Sequence, residues 1–156
     1  MKKDIKVLFV CHGNICRSVA AEMVLKQMIR ERRISDIEVD SAAATREEIG
    51  NDIYPPMKRA LQETGYRCEP HAARQTVRAD YDRYDCLVGM ERVNLRNMQR
   101  ICGGDPEGKM SLLLSFAGSP AEIEDPWYTG RFSAVYRQIE TGCRAMLAQL
   151  QRENRL

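Results

Sequence analysis

A strand pattern and a helix pattern meet within a dozen residues near the start of this chain, and that junction limits the folds open to it. Ile5 to Val10 (IKVLFV) is a short, nearly continuous apolar run rich in β-branched residues, as expected for a strand covered on both faces. The period then changes. Ala21, Val24, Leu25, Met28 and Ile29 recur at helical spacing, with a helix start near Arg17, Ser18 a candidate N-cap and Glu22 in the first turn. The alternation continues along the chain: strands are expected over 37–42, 84–90 and 109–116, and helices over 55–65, 92–101 and 130–151. Strands alternating with helices imply a parallel sheet covered by right-handed crossovers. In such a sheet ligands bind outside the carboxyl ends of the strands, beside a switch in strand order, and Cys11 follows the first strand.

Composition removes several classes of function. A chain of 156 residues fits one domain with its own core, and 44% hydrophobic with 29% charged residues is ordinary for a globular protein. No apolar stretch is long enough to cross a bilayer, and the lysines of MKKDIKVLFVCHGN precede too short an apolar run, without a cleavage site, to read as a signal peptide. A net charge of +2 argues against a nucleic-acid binder driven by counterion release, and Arg30 to Arg33 (RERR) reads as a solvated helix end. Six scattered cysteines in a chain of this size suit a reducing cytoplasm.

The loop after the first strand carries the chemistry. Cys11 and Cys16 lack the second close pair that a zinc site needs, and the only histidines are His12 and His71, so no metal is expected. What remains is a cysteine, five residues and Arg17 at a helix start. Gly13 and Asn14 both tolerate left-handed backbone, so the turn can point successive N–H groups inward while the helix adds its positive end. Arg17 can grip two oxygens of a tetrahedral anion as a fork. A Cys11 sulfur at the base of such a cradle sits among donors that favour the thiolate, a nucleophile aimed at phosphorus. The acid that a leaving oxygen requires is found in IEDPWYTGRF: Pro126 biases Asp125 toward extended backbone, and Trp127 and Tyr128 offer apolar walls beside its carboxyl.

At these residues the sequence closely resembles the low-molecular-weight protein tyrosine phosphatases. VLFVCHGNICRS, VDSAA, IGN, HAARQ, YDCLVGM, NLR and EDPWY occur in that family's order and approximate spacing, nearly end to end. The resemblance implies a single three-layer α/β domain over residues 1–156, its four-stranded parallel sheet flanked by helices in the flavodoxin-like order 2-1-3-4. It further implies hydrolysis of phosphotyrosine and small aryl phosphates through a phosphocysteine on Cys11, with Arg17 binding phosphate and Asp125 as general acid and then base. His12, Gly13, Asn14, Ile15, Cys16 and Ser18 would complete the phosphate loop. Ser18 would hydrogen-bond the Cys11 thiolate, and Asn14, tied to His71 and Ser41, would hold the loop in shape. No cofactor is implied. The partners would be phosphotyrosine proteins or peptides, with phosphate and similar oxyanions as inhibitors, and neither nucleic acid nor membrane.

Ile15, Trp127, Tyr128 and Glu47 would form the substrate slot. Ile15 suits a flat phenyl ring where relatives resembling protein-arginine phosphatases tend to carry Thr, and the aromatic pair favours phosphotyrosine over the shorter phosphoserine. Val19 departs from the family's usual Pro, and Glu47 from a frequent aromatic; an acid at that rim would discourage acidic peptides and favour basic flanks. Three alternatives are a thioredoxin-coupled arsenate reductase, a phosphocysteine carrier and a non-catalytic phosphate-binding module. The first would need a C-x6-C relay, whereas Cys86 lies in a strand and position 93 is Val93. The second would need the phosphocysteine to outlast Asp125, and the third leaves Cys11, Arg17 and Asp125 together without a reason. The spacing of Cys11 and Cys16 also allows a protective disulfide under peroxide.

Overall fold

Alternate residues of the first strand, β1 (Ile5–Cys11), face two different layers, which explains its unbroken apolar run. Val7, Phe9 and Cys11 pack with helices α1 (Arg17–Glu31) and α6 (Phe132–Asn154), while Leu8 and Val10 pack with residues of α3 (Asp80–Arg83) and α4 (Arg92–Cys102). This is a three-layer arrangement, seen in a computed structural model that describes residues 4–154. The central sheet adds β2 (Ile37–Ala43), β3 (Cys86–Gly89) and β4 (Met110–Leu112), all parallel, in the order β2-β1-β3-β4 that was expected. Leaving β1, the chain turns outward to β2 and then crosses back to β3 on the other side. The strand order therefore switches at β1, and the crevice lies at the carboxyl ends of β1 and β3, where Cys11 pairs in register with Ala43 and Val10 with Gly89.

Helix α1 is buried along its whole first half, Arg17 through Leu25, because it lies between the sheet and α6. Val19 is fully buried there, so the helix starts at Arg17 without a proline. Its N-cap is Cys16, not Ser18, whose side chain is turned into the loop. Helix α2 (Pro55–Glu63) starts on its two prolines as the sequence suggests.

Two expected boundaries move. The strand expected over 109–116 stops at Leu112, since β3 pairs with it only as far as Gly89, and the chain continues as a 3₁₀ turn over Leu113–Ala117. The last helix begins at Phe132, because Gly130 adopts a left-handed φ of 73° and closes a separate short helix, α5 (Pro126–Thr129). No helix among the described residues is long and apolar enough to cross a membrane.

The contact between α6 and the 3₁₀ turn depends on one missing methyl group. A Cβ on Gly142 would lie 2.5 Å from Cγ of the fully buried Leu113. Gly142→Ala gains roughly 1 kcal/mol of helix propensity, yet overpacking a filled core costs about 1–3 kcal/mol. The variant is expected to unfold at lower urea concentration than the wild type; an equal or higher midpoint would show that α6 can lift away from the turn at no net cost.

Candidate active site

The loop from Cys11 to Arg17 gets its shape from one buried asparagine. Asn14 is fully buried at φ 59°, so it alone takes the left-handed turn expected of the Gly13–Asn14 pair. Gly13 serves a different purpose, since a Cβ there would meet Glu48 Cγ at 3.1 Å. Three contacts hold Asn14 in this conformation: His71 Nε2 donates to its carbonyl at 2.6 Å, the Arg74 N–H donates to its Oδ1 at 3.3 Å, and its own Nδ2 donates to Ser18 Oγ at 2.8 Å. Ser18 Oγ lies 3.0 Å from Cys11 Sγ, and the Ser18 N–H donates to the same sulfur at 3.4 Å. Because Asn14 occupies a lone pair of the hydroxyl, the Ser18 proton is free to point at sulfur.

Ser41 does not join this network. Its hydroxyl donates to Glu22 Oε1 on α1, and Glu22 in turn accepts from Lys26 Nζ at 2.6 Å. Glu22 lies one turn beyond Ser18 and reaches β2 first, so the expected tie from Asn14 to Ser41 is replaced by one from helix to strand.

Among the described residues, none of the backbone N–H groups of residues 13–17 donates a hydrogen bond within the protein. Together with the helix start at Arg17 they form a set of donors suited to an anion. Arg17 itself is 2% exposed. Its Nη1 donates to Glu91 Oε1 and, at 2.9 Å, to the carbonyl of Ile123, while its Nη2 lies 3.4 Å from Asp125 Oδ2. Burial alone would pull its pKa down, but the nearby Cys11 sulfur, the hydrogen bond it donates to Glu91 and the charge on Asp125 outweigh it and hold the pKa above the ordinary value. The guanidinium is therefore charged at any working pH.

The two cysteines of the loop are electrostatically unequal. Burial first, then the neighbouring charges of Cys11 and Asp125, push the Cys16 thiol far up, with Arg17 only partly opposing them. Cys16 stays a protonated thiol. Both cysteines are reduced in this structure.

Asp125 arrives as expected, in extended backbone at φ −83° and ψ 110° before Pro126. One carboxyl oxygen caps α5, accepting the Trp127 N–H at 3.0 Å, and the other turns toward Arg17. The cleft is lined by Cys11, His12, Gly13, Ile15, Cys16, Arg17, Glu47, Asp125, Trp127 and Tyr128, all of them expected from the sequence, together with Glu48. Asn14, Ser18 and His71 support it from beneath. Trp127 packs on Tyr54, ring centroids 4.7 Å apart, and the Tyr54 N–H donates to the Ile15 carbonyl at 2.7 Å, joining the aromatic wall to the loop. No group of three or more His, Cys, Asp or Glu side chains among the described residues is placed to hold a metal ion.

Sequence reasoning missed Glu91, Ile123, Glu48, Tyr54 and Arg74. Glu91 had a usable signal, since it follows β3 at the same carboxyl edge as Cys11. The others lie in connecting segments, where only tertiary folding brings them to the site. The relay of an arsenate reductase has no counterpart here. Cys86 sits within β3 with its thiol pushed up to about 11 by burial and then by Asp85, and Val93 lies exposed on α4.

Removing Glu91 would leave the buried guanidinium short of its closest carboxylate. Glu91→Ala is expected to lower stability by up to about 3 kcal/mol, and millimolar inorganic phosphate should restore part of that loss by giving Arg17 a new partner. Thermal melts with and without phosphate test this; a variant as stable as the wild type would show that Ile123 and Asp125 suffice.

The low molecular weight phosphotyrosine protein phosphatase family matches residues 6–156 of the chain. The low molecular weight protein-tyrosine-phosphatase YfkJ of Bacillus subtilis is 33% identical over 155 residues, covering 97% of this chain and 99% of its own. Its crystal structure superposes with a TM-score of 0.93 over 97% of this chain and 98% of that one, at 32% identity. Low molecular weight phosphotyrosine protein phosphatase 1 of Drosophila melanogaster is 34% identical over 152 residues, 92% of this chain and 96% of its own. A Drosophila arginine phosphatase structure reaches a TM-score of 0.86 at 30% identity, over 94% of this chain and 98% of that one.

Proposed function

This chain belongs to the low molecular weight phosphotyrosine protein phosphatase family, and we propose that it hydrolyses phosphotyrosine through a phosphocysteine on Cys11. One observation carries the reading: a sulfur hydrogen-bonded by Ser18, a buried fork at Arg17 and the Asp125 carboxyl beside that fork converge on one cleft. The loop N–H groups and Arg17 bind the phosphate oxygens and stabilise charge as it spreads in the transition state. The Cys11 thiolate forms a bond to phosphorus as the phosphorus–phenol oxygen bond breaks, and Asp125 gives its proton to the departing oxygen. Asp125, now a carboxylate, takes a proton from water; the resulting hydroxide attacks phosphorus, the sulfur–phosphorus bond breaks, and phosphate and thiolate are released. Inorganic phosphate and similar oxyanions are expected to compete for the same donors. No cofactor is required by this sequence of steps.

The choice of phenol as leaving group rests on the walls. Ile15, Trp127 and Tyr128 line the cleft with apolar faces suited to a phenyl ring, and Tyr54 backs Trp127 from behind. The likeness to an arginine phosphatase shows that the fold alone does not make this choice; Ile15 is the residue that favours the flat ring.

Steady-state hydrolysis tests the roles. Cys11→Ser is expected to abolish turnover. Asp125→Ala should slow phenyl phosphate by about 10²–10⁴-fold but p-nitrophenyl phosphate far less, since nitrophenolate leaves without a proton. Equal losses on both substrates would remove Asp125 as the acid, and activity retained by Cys11→Ser would remove the phosphocysteine.

Cys16 is proposed to guard the nucleophile. Peroxide would oxidise the Cys11 thiolate to a sulfenic acid, which the adjacent Cys16 thiol would convert to a disulfide with loss of water. Mass spectrometry after mild peroxide should show a reducible Cys11–Cys16 link; a Cys11 sulfinic acid without that link would refute the guard.

A further inference from the structure

The mouth of the cleft carries the same sign of charge as the ligand its base is built to hold. The acidic groups lining it are Glu47, Glu48 and Asp125, whereas its basic side chains are only the buried Arg17 and His12. Neighbouring arginines are engaged elsewhere: Arg46 Nε donates to Gln75 at 3.0 Å, and Arg131 pairs with Glu124 at 2.8 Å. Glu47 is held in place and still available. His12 Nε2 donates to its Oε2 at 2.8 Å, the Glu47 N–H donates to Thr45 Oγ1, and Thr45 Oγ1 donates to the His12 carbonyl at 3.0 Å. The second oxygen of Glu47 has no partner among the described residues, and its side chain is 64% exposed. Glu48 lies deeper, its Cγ against Gly13 and one carboxyl oxygen on Asn51 Nδ2 at 2.6 Å.

We infer that this rim selects phosphotyrosine segments flanked by lysine or arginine and rejects those flanked by aspartate or glutamate. The inference rests on the phosphotyrosine reading above and adds the substrate class. The phosphate's charge is neutralised at the base, by loop N–H groups and Arg17, so the flanking residues meet the carboxylates of the mouth with His12 as the one basic side chain among them. A flanking cation can bind the free Glu47 oxygen without displacing His12. A flanking acid meets an ordered carboxylate whose basic neighbour, His12, is already bound to it. At an exposed site each such contact is worth about a threefold to fivefold change in binding, and the preference weakens with salt because the rim is solvated.

Two phosphotyrosine peptides of equal length test this, one flanked by lysines and one by glutamates, with kcat/KM measured for each and the ratio taken within each protein so that changes in turnover cancel. The wild type should prefer the basic peptide by about tenfold, the ratio shrinking as salt rises from low to molar. Glu47→Gln should reduce the ratio, and Glu47→Lys should bring it to one or below. A wild-type ratio of one or less, or a ratio unchanged in Glu47→Lys, overturns the inference while phenyl phosphate turnover keeps the phosphatase reading intact. Absence of phenyl phosphate turnover by the wild type overturns both.

Discussion

A full positive charge sits in a place from which water is excluded, and the arrangement of the site follows from that. The guanidinium of Arg17 is 2% exposed, and a buried charge of this kind persists only where partners compensate its desolvation. Its partners come from three separated parts of the chain: Glu91 at the start of α4, the carbonyl of Ile123, and Asp125 before α5. One side chain thus fixes where β3 hands over to α4 and where the acid-bearing loop crosses the sheet edge. The same charge that organises these segments also lines the cleft.

The sulfur is controlled by a second, neutral chain of contacts. His71 and Arg74 hold Asn14 in its left-handed conformation, Asn14 orients Ser18, and Ser18 meets Cys11. Each link is a hydrogen bond to or from an uncharged oxygen or nitrogen, so the sulfur is positioned without an adjacent base. Cys16, five residues on, shares the loop and is also buried, and it remains a thiol. Position in the loop, more than residue type, separates the two cysteines.

Much of this was legible in the sequence because it is local. The β1–loop–α1 junction could be read from a change of period, the extended backbone of Asp125 from Pro126, and the strand order from the alternation together with the family resemblance. What escaped was set by distance in sequence. Glu91 is 74 residues from Arg17 and Ile123 is 106, so their contacts depend on how strands line up. Ser41 was placed on the wrong partner because Glu22, which the sequence puts in the first turn of a helix, lies one turn further along α1 and accepts from the strand instead, a contact that only packing decides. The end of β4 is set by the length of its neighbour, β3, which the residues of β4 do not encode.

Ile123 makes a hydrogen bond in each direction, its N–H to the Met90 carbonyl at the end of β3 and its own carbonyl to Arg17. Asp125 therefore hangs from a point anchored to the sheet on one side and to the Arg17 guanidinium on the other, two residues upstream of Trp127 in the aromatic wall. That wall is loose by comparison: Trp127 is 55% exposed and Tyr128 82%. Asp125 is nonetheless tied to that wall, since one of its carboxyl oxygens accepts the Trp127 N–H. A substitution at the outer, exposed ring of Tyr128 therefore disturbs this anchorage less than one at the buried Ile123 would.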